Sequence, residues 1–419
     1  MFNTLLLALV LFLCIVVFFG FLNEKLIKLP TEIALLFAGL LLSVVFILGS
    51  KEGFWGKESI IPTFLLEDFL VEGVLCFMLF AGACRLRYCD LKSQFKLIGC
   101  LSIVTTVLAA FLYGALSYGI GLLLGLDNLD FSYCLLLGAI ISPTDPIAAM
   151  SILRKVGLPE DIALTIEGES LFNDGVGVAL FVVISGMVGG NGAPPTVSSF
   201  LMLLFKELFG AALIAIVISF LLYQLFVRTE DIYRQIFISL LAVSASYVVC
   251  EKVGCSPAIA AVVCGIFFAT FMDKAEQKNP EEFLVYRNLW SVVDAFLNSI
   301  LYVLLGLTFI NLFIYTENNV KWILVAIVCN VIARYVGVLV SSILIKEKPQ
   351  GYSILPFTNL LTWAGLKGAL CLALAMQTST IVPKPVFNSI LICTFAVVMF
   401  TTVGQGLTIG KYFKSHKPR

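Results

Sequence analysis

Thirteen apolar runs near bilayer-crossing length, separated by short polar stretches, constrain this 419-residue chain more than any other feature. A helix needs about 20 apolar residues to cross a hydrocarbon core of about 30 Å. The runs fall near 4–20, 31–49, 61–84, 97–125, 131–153, 159–187, 199–226, 235–251, 256–272, 288–312, 320–345, 351–378 and 386–410. Hydrocarbon offers no partner to backbone amides, so such runs satisfy their hydrogen bonds internally, as helices. Composition agrees, with 60% hydrophobic and 13% charged residues against about 25% charged in a soluble domain. The expected fold class is an all-α polytopic membrane protein of about 13 transmembrane helices. The first run has no basic residue before it and no small-residue cleavage site after it, so it reads as a helix and not as a signal peptide.

The cations orient the runs. With the N-terminus outside, inner loops collect nineteen Lys and Arg residues, including Lys25, Arg85, Arg154, Arg228, Lys274, Arg287 and the tail residues Lys411, Lys414, Lys417 and Arg419. Outer loops hold five: Lys51, Lys57, Lys252, Lys321 and Lys384. Lys and Arg accumulate in cytoplasmic loops. The expectation is an outside N-terminus, a cytoplasmic C-terminus and a multi-pass protein of a plasma or inner membrane.

Much chemistry is excluded cheaply. The single histidine, His416, lies in the tail, so histidine triads and zinc clusters have no material within the helices. The 12 cysteines show no C-x-x-C spacing and lie mostly in apolar runs, where they act as small hydrophobes. Gly410-Lys411 is followed by Tyr412, which breaks the phosphate-loop pattern, so ATP-driven transport on this chain is not expected. The 27 basic and 27 acidic residues form no long basic tract, and nucleic acid is not expected as a partner. Neither an enzymatic activity nor a cofactor is expected.

Ionisable residues inside the runs point elsewhere. Lys206, Arg334, Lys367, Glu72, Asp145, Glu167, Glu169, Asp174, Glu207 and Asp294 all fall within apolar segments. Such groups normally face a protein interior or aqueous cavity and mark ion or proton pathways. For Lys206, Glu207 and Asp294, which have no motif around them, snorkelling or a structural pair is an equal alternative.

Three stretches have recognisable chemistry. In segment five, Ser142-Pro143-Thr144-Asp145-Pro146 places two prolines where their rings clash with the carbonyls of Ala139 and Ser142, so the helix should break. A break at membrane depth is tolerated when it is buried or lines a cavity, and its half-helix ends then offer partial charges to ions. In segment six, Glu167-Gly168-Glu169-Ser170-Leu171-Phe172-Asn173-Asp174-Gly175 sets Ser170 and Asp174 on one helix face and Glu169 and Asn173 on the neighbouring stripe. Hydroxyl and carboxylate oxygens suit a hard cation, and a carboxylate alternatively takes a proton. In segment twelve, Gly365-Leu366-Lys367-Gly368 surrounds a buried lysine with glycines, allowing a local opening whose exposed carbonyls the cation neutralises. Segments five and twelve are seven crossings apart and so run in opposite directions, as an inverted repeat requires. The expected organisation is a first six-helix repeat over 1–187, a linker helix in 188–234, a second repeat over 235–410 and a short basic tail, 411–419.

These stretches, with Asn298-Ser299-Ile300-Leu301-Tyr302-Val303-Leu304-Leu305-Gly306-Leu307, resemble in order the sodium/proton exchanger family, the NhaP and NHE branch of monovalent cation:proton antiporters. The resemblance spans nearly the whole chain. It implies crossed discontinuous helices five and twelve, a homodimer in the lipid bilayer, and exchange of Na+, or of Li+ or K+, for H+. It implies that Asp174 is the ion and proton carrier, assisted by Asp145, Thr144, Ser170 and Asn173, with Na+ held at Asp174, Asp145, Ser170 and Thr144. Asn173 before Asp174 resembles the electroneutral branch, one proton for one cation. Glu169 is implied to pair with Arg334. Lys367 departs from the arginine common in the family, and the acid often found in segment three has no match in Met78-Leu79-Phe80-Ala81-Gly82, unless Glu72 compensates. The long regulatory tails of eukaryotic members have no counterpart here. An ion or proton channel, or a sensor that kept the fold without transport, remains open on the sequence.

Overall fold

The computed structural model describes residues 2–51, 75–86, 88–126, 130–190, 197–276, 280–307, 320–345 and 352–415, so Glu72 and His416 lie outside the described residues. Every regular element among them is helical. The principal helices are α1 (Phe2–Leu22), α2 (Thr31–Lys51), α3 (Leu75–Arg85), α4 (Phe95–Leu123), α5 (Phe131–Ile141), α6 (Ile147–Leu153), α7 (Glu160–Gly189) and α8 (Ser198–Phe226). They continue with α9 (Ile232–Val253), α10 (Pro257–Glu276), α11 (Pro280–Leu307), α12 (Val320–Leu344), α13 (Ile354–Ala364), α14 (Ala369–Gln377) and α15 (Lys384–Lys414). Among the described residues nine helices are long and apolar enough to cross a membrane, α13 and α14 form one bent pair at 61°, and three shorter apolar helices accompany them. The all-α, multi-pass expectation therefore holds.

Local chemistry sets the helix ends. Glu160 and Asp161 occupy the first turn of α7, where carboxylates complement the positive end of the helix dipole. At the α9–α10 corner Gly254 adopts φ +69°, a left-handed turn that side chains other than glycine rarely take. Helix α4 widens into a π-helical turn over Leu101–Thr105, α8 over Lys206–Gly210 and α15 over Phe400–Gln405.

Packing sorts the helices into two groups. In one, α11 packs on α2 and α3, and α10 on α3, α8 and α9, with α1 against α2. In the other, α4 packs on α5 and α12, α7 on α5, α12 on α13 and α15, and α14 on α15. Within the first group, glycines allow the closest approach: a Cβ built on Gly306 of α11 would lie 2.7 Å from the Gly39 Cα of α2. Small residues let membrane helices approach backbone to backbone, where dispersion and weak polar contacts replace the hydrophobic driving force. The boundary between the groups runs past the two breaks, at 142–146 between α5 and α6 and at 365–368 between α13 and α14.

Candidate functional site

The breaks meet backbone to backbone. Asp145 N donates to Leu366 O at 2.8 Å, so the chain interrupted in one pair satisfies the chain interrupted in the other. Lys367 extends its Nζ to Ser142 O at 3.1 Å, placing a cation at the C-terminal end of α5, where helix carbonyls lack partners. The Lys367 peptide itself is held by α15: its N–H donates to Thr401 Oγ1 at 3.0 Å and its carbonyl accepts from Thr402 Oγ1 at 3.1 Å. Two opened helices thus keep their freed backbone groups paired inside the protein, which membrane burial demands.

Helix α7 lies alongside the first break and is knitted to it. Asn173 Oδ1 accepts from Thr144 N at 3.1 Å, and its Nδ2 donates to Thr144 Oγ1 at 2.6 Å and to Glu169 Oε1 at 3.1 Å. Ser170 Oγ donates to Thr144 O. Behind these, Arg334 of α12 grips Glu169 with both terminal nitrogens, Nη1 to Oε1 at 2.6 Å and Nη2 to Oε2 at 2.8 Å, with side chains 4% and 2% exposed. The planar guanidinium fork matches the carboxylate, which a lysine head does not.

Between the breaks, α7 and the first helix group lies a cavity of about 90 Å³, lined by Thr144, Asp145, Ser170 and Asp174 together with Met78, Leu79 and Gly82 of α3 and Asp294, Asn298 and Tyr302 of α11. That volume is ample for water, and its wall mixes apolar surface with converging oxygens. Asp174 is half-buried there and has no hydrogen bond or ion pair among the described residues. Asp145 is engaged at both oxygens, accepting from Ile147 N at 2.9 Å and from Tyr302 OH at 2.5 Å. At the rim, Arg85 pairs with Asp294 at 2.9 Å and Arg154 with Glu167 at 2.8 Å. Four of the residues expected at the site, Thr144, Asp145, Ser170 and Asp174, therefore share one wall. Asn173 departs from the ligand role implied for it: it is fully buried behind that wall, and its amide is spent on Thr144 and Glu169. Lys367 likewise faces the helix end and not the cavity.

The sequence matches the family model described as "Sodium/hydrogen exchanger, transmembrane" over residues 6–415. The chain belongs to the sodium/hydrogen exchanger family. This exchanger-family chain is 30% identical over 418 residues to the Na+/H+ antiporter NhaP of Pseudomonas aeruginosa, covering 95% of the chain and 94% of the relative. It is 28% identical to the Na+/H+ antiporter NhaH of Halobacillus aidingensis over 93% of each. Its fold is that of the sodium proton antiporter MjNhaP1 from Methanocaldococcus jannaschii, with a TM-score of 0.76 at 20% identity across 98% of both chains. The family is one of transporters, not enzymes, and neither the channel nor the sensor alternative is favoured.

Some residues of this exchanger's site were not legible as such. Tyr302 sat in a quoted motif without a role, because a tyrosine in an apolar run reads equally as packing or as an interfacial anchor. Thr401 and Thr402 were passed over, although a polar pair in an apolar run is a usable signal for a backbone partner. Arg85 was counted as a loop cation, yet as the last residue of α3 it reaches the cavity rim and meets Asp294. Lys206 and Glu207 do not line the cavity.

Proposed function

We propose that the protein is a secondary antiporter exchanging one monovalent cation for one H+ by alternating access, with Na+ the preferred cation among Na+, Li+ and K+. The observation that carries this reading is the unpaired carboxylate of Asp174, facing a cavity where the other buried acids already hold protein partners. Ser170 and Thr144 supply neutral oxygens beside it, and Asp145 contributes a second carboxylate. A proton or a partly dehydrated cation each neutralises Asp174. The empty, charged site crosses the dry barrier poorly, because a charge at the bilayer centre costs several kcal/mol, so loaded forms move. Asn173 acts by holding Thr144 in place, and the Glu169–Arg334 pair fixes α7 against α12.

In this reading thirteen crossings form two inverted repeats, 1–187 and 235–410, joined through the helix of 188–234. The bundle containing α5–α7 and α12–α14 rocks against the rest, the C-terminus is cytoplasmic, two copies form a homodimer in the bilayer, and no cofactor takes part beyond the transported ions. The relatives named as Na+/H+ antiporters support the choice of ions. Purified protein in proteoliposomes tests it: internal pH is followed while Na+, Li+ or K+ gradients are imposed with voltage clamped or free. Cation-dependent, voltage-independent proton movement is expected, and Asp174→Asn should abolish it. Exchange at the normal rate by Asp174→Asn would overturn the assignment.

A further inference from the structure

Tyr302 stands on α11, across the cavity from the broken helices, and is 2% exposed. Its phenol donates to Asp145 Oδ2 at 2.5 Å. This is the short contact typical of a hydroxyl bound to an ionised acceptor, roughly twice as strong as a neutral pair. Asp145 Oδ1 is occupied by the Ile147 amide, so Tyr302 closes the last oxygen of a carboxylate that lines the same cavity as Asp174. The two partners belong to different packed groups: α11 with α2 and α3, and the α5–α6 break with α4, α7 and the second break. The hydrogen bond therefore spans the boundary along which the groups must move if access alternates.

We propose that Tyr302 is a positioning residue that latches Asp145 to the α11 side in the conformation described here. The latch withholds Asp145 from the cation in this conformation, leaving Asp174 to receive it first. It must open when the bundle shifts, since a hydrogen bond weakens steeply once its geometry is lost. Asp145 then becomes available to the ion only in the other conformation. The inference rests on the exchange reading above and adds a sidedness to it that Asp174 alone does not supply.

Tyr302→Phe removes one hydroxyl and leaves the ring in its packed place. With the latch gone from one conformation only, the ratio of apparent cation KM values measured from the two faces of the vesicle should shift by about tenfold, equivalent to about 1.4 kcal/mol. Turnover should persist. Amide hydrogen exchange of residues 142–150 in the purified protein should also quicken several-fold, because the tie to α11 is lost. A merely structural tyrosine would lower yield or rate and leave the KM ratio where it was. An unchanged ratio with unchanged amide exchange overturns the latch, and so does a folded Tyr302→Phe protein with no exchange, which would make the phenol an obligatory ligand. If the wild-type protein itself fails to exchange ions, the exchange reading falls, while the amide measurement, which needs no transport, still decides whether Tyr302 ties the break to α11.

Discussion

Removing one partner of the Glu169–Arg334 pair should be among the most damaging single changes available to this protein. Both side chains are nearly inaccessible and the contact is bidentate. In Arg334→Leu, Glu169 would keep only the Asn173 amide at 3.1 Å as a donor. In Glu169→Leu, Arg334 would keep only the Leu361 carbonyl at 3.4 Å. An unpaired buried charge of this kind costs about 3–5 kcal/mol, whereas replacing both partners by apolar residues is often neutral or stabilising by about 1–4 kcal/mol. Each single variant is therefore expected to lose about 3–5 kcal/mol, and the double variant Glu169→Leu/Arg334→Leu to return to within about 2 kcal/mol of wild type. Denaturant titration of the purified protein in detergent, followed by tryptophan fluorescence and completed as a double-mutant cycle, measures this. Either single variant within about 1 kcal/mol of wild type, or a double variant no better than the singles, would refute the reasoning. The double variant should still transport poorly, because Asn173 would lose its tether to Glu169.

Three further outcomes follow from the same geometry. Arg154→Ala, at a pair whose side chains are 54% and 29% exposed, should change stability by no more than about 1 kcal/mol in the same titration. Gly306→Ala would set a Cβ 2.6 Å from Leu40 N and 2.7 Å from the Gly39 Cα, so α2 and α11 must part; a loss of about 1–3 kcal/mol and a lower thermal midpoint are expected. In proteoliposomes, protons and cations competing for Asp174 should raise the apparent cation KM about tenfold per unit of acidification below the carrier's midpoint, since only the deprotonated fraction binds cation. A shallower dependence would argue against a single shared carboxylate.

The sequence exposed the features whose physics is local. Pro143 and Pro146 interrupt α5–α6 wherever they are placed, and Gly365 and Gly368 open α13–α14 around Lys367, so both breaks were readable from residue type and spacing. The shared face of Ser170 and Asp174 followed from helix periodicity. Contacts between distant segments were another matter. The Glu169–Arg334 partnership entered only through family resemblance, and Tyr302 with Asp145 and Arg85 with Asp294 did not enter at all. No periodicity within one helix reports which neighbour its polar residue meets. Asn173 shows the remaining gap: sequence placed it near the ion, but only the directions of its amide show that it supports a ligand instead of being one.

The π-helical turn at Phe400–Gln405 carries a consequence for how this gene tolerates small deletions. Consecutive residues of a regular α-helix point about 100° apart, yet Thr401 and Thr402 both serve the single peptide of Lys367. Such a turn accommodates one residue more than regular helix would in the same length. Losing any one codon in this stretch would leave an unbroken, helix-compatible reading frame and would rotate everything beyond it by about 100°. Ile409 and Phe413, now fully buried, would swing out of their places, and one of the two threonines would turn from the lysine peptide. A deletion scan should therefore find this short interval far less forgiving than point substitution of its apolar members, although nothing in its hydrophobicity sets it apart.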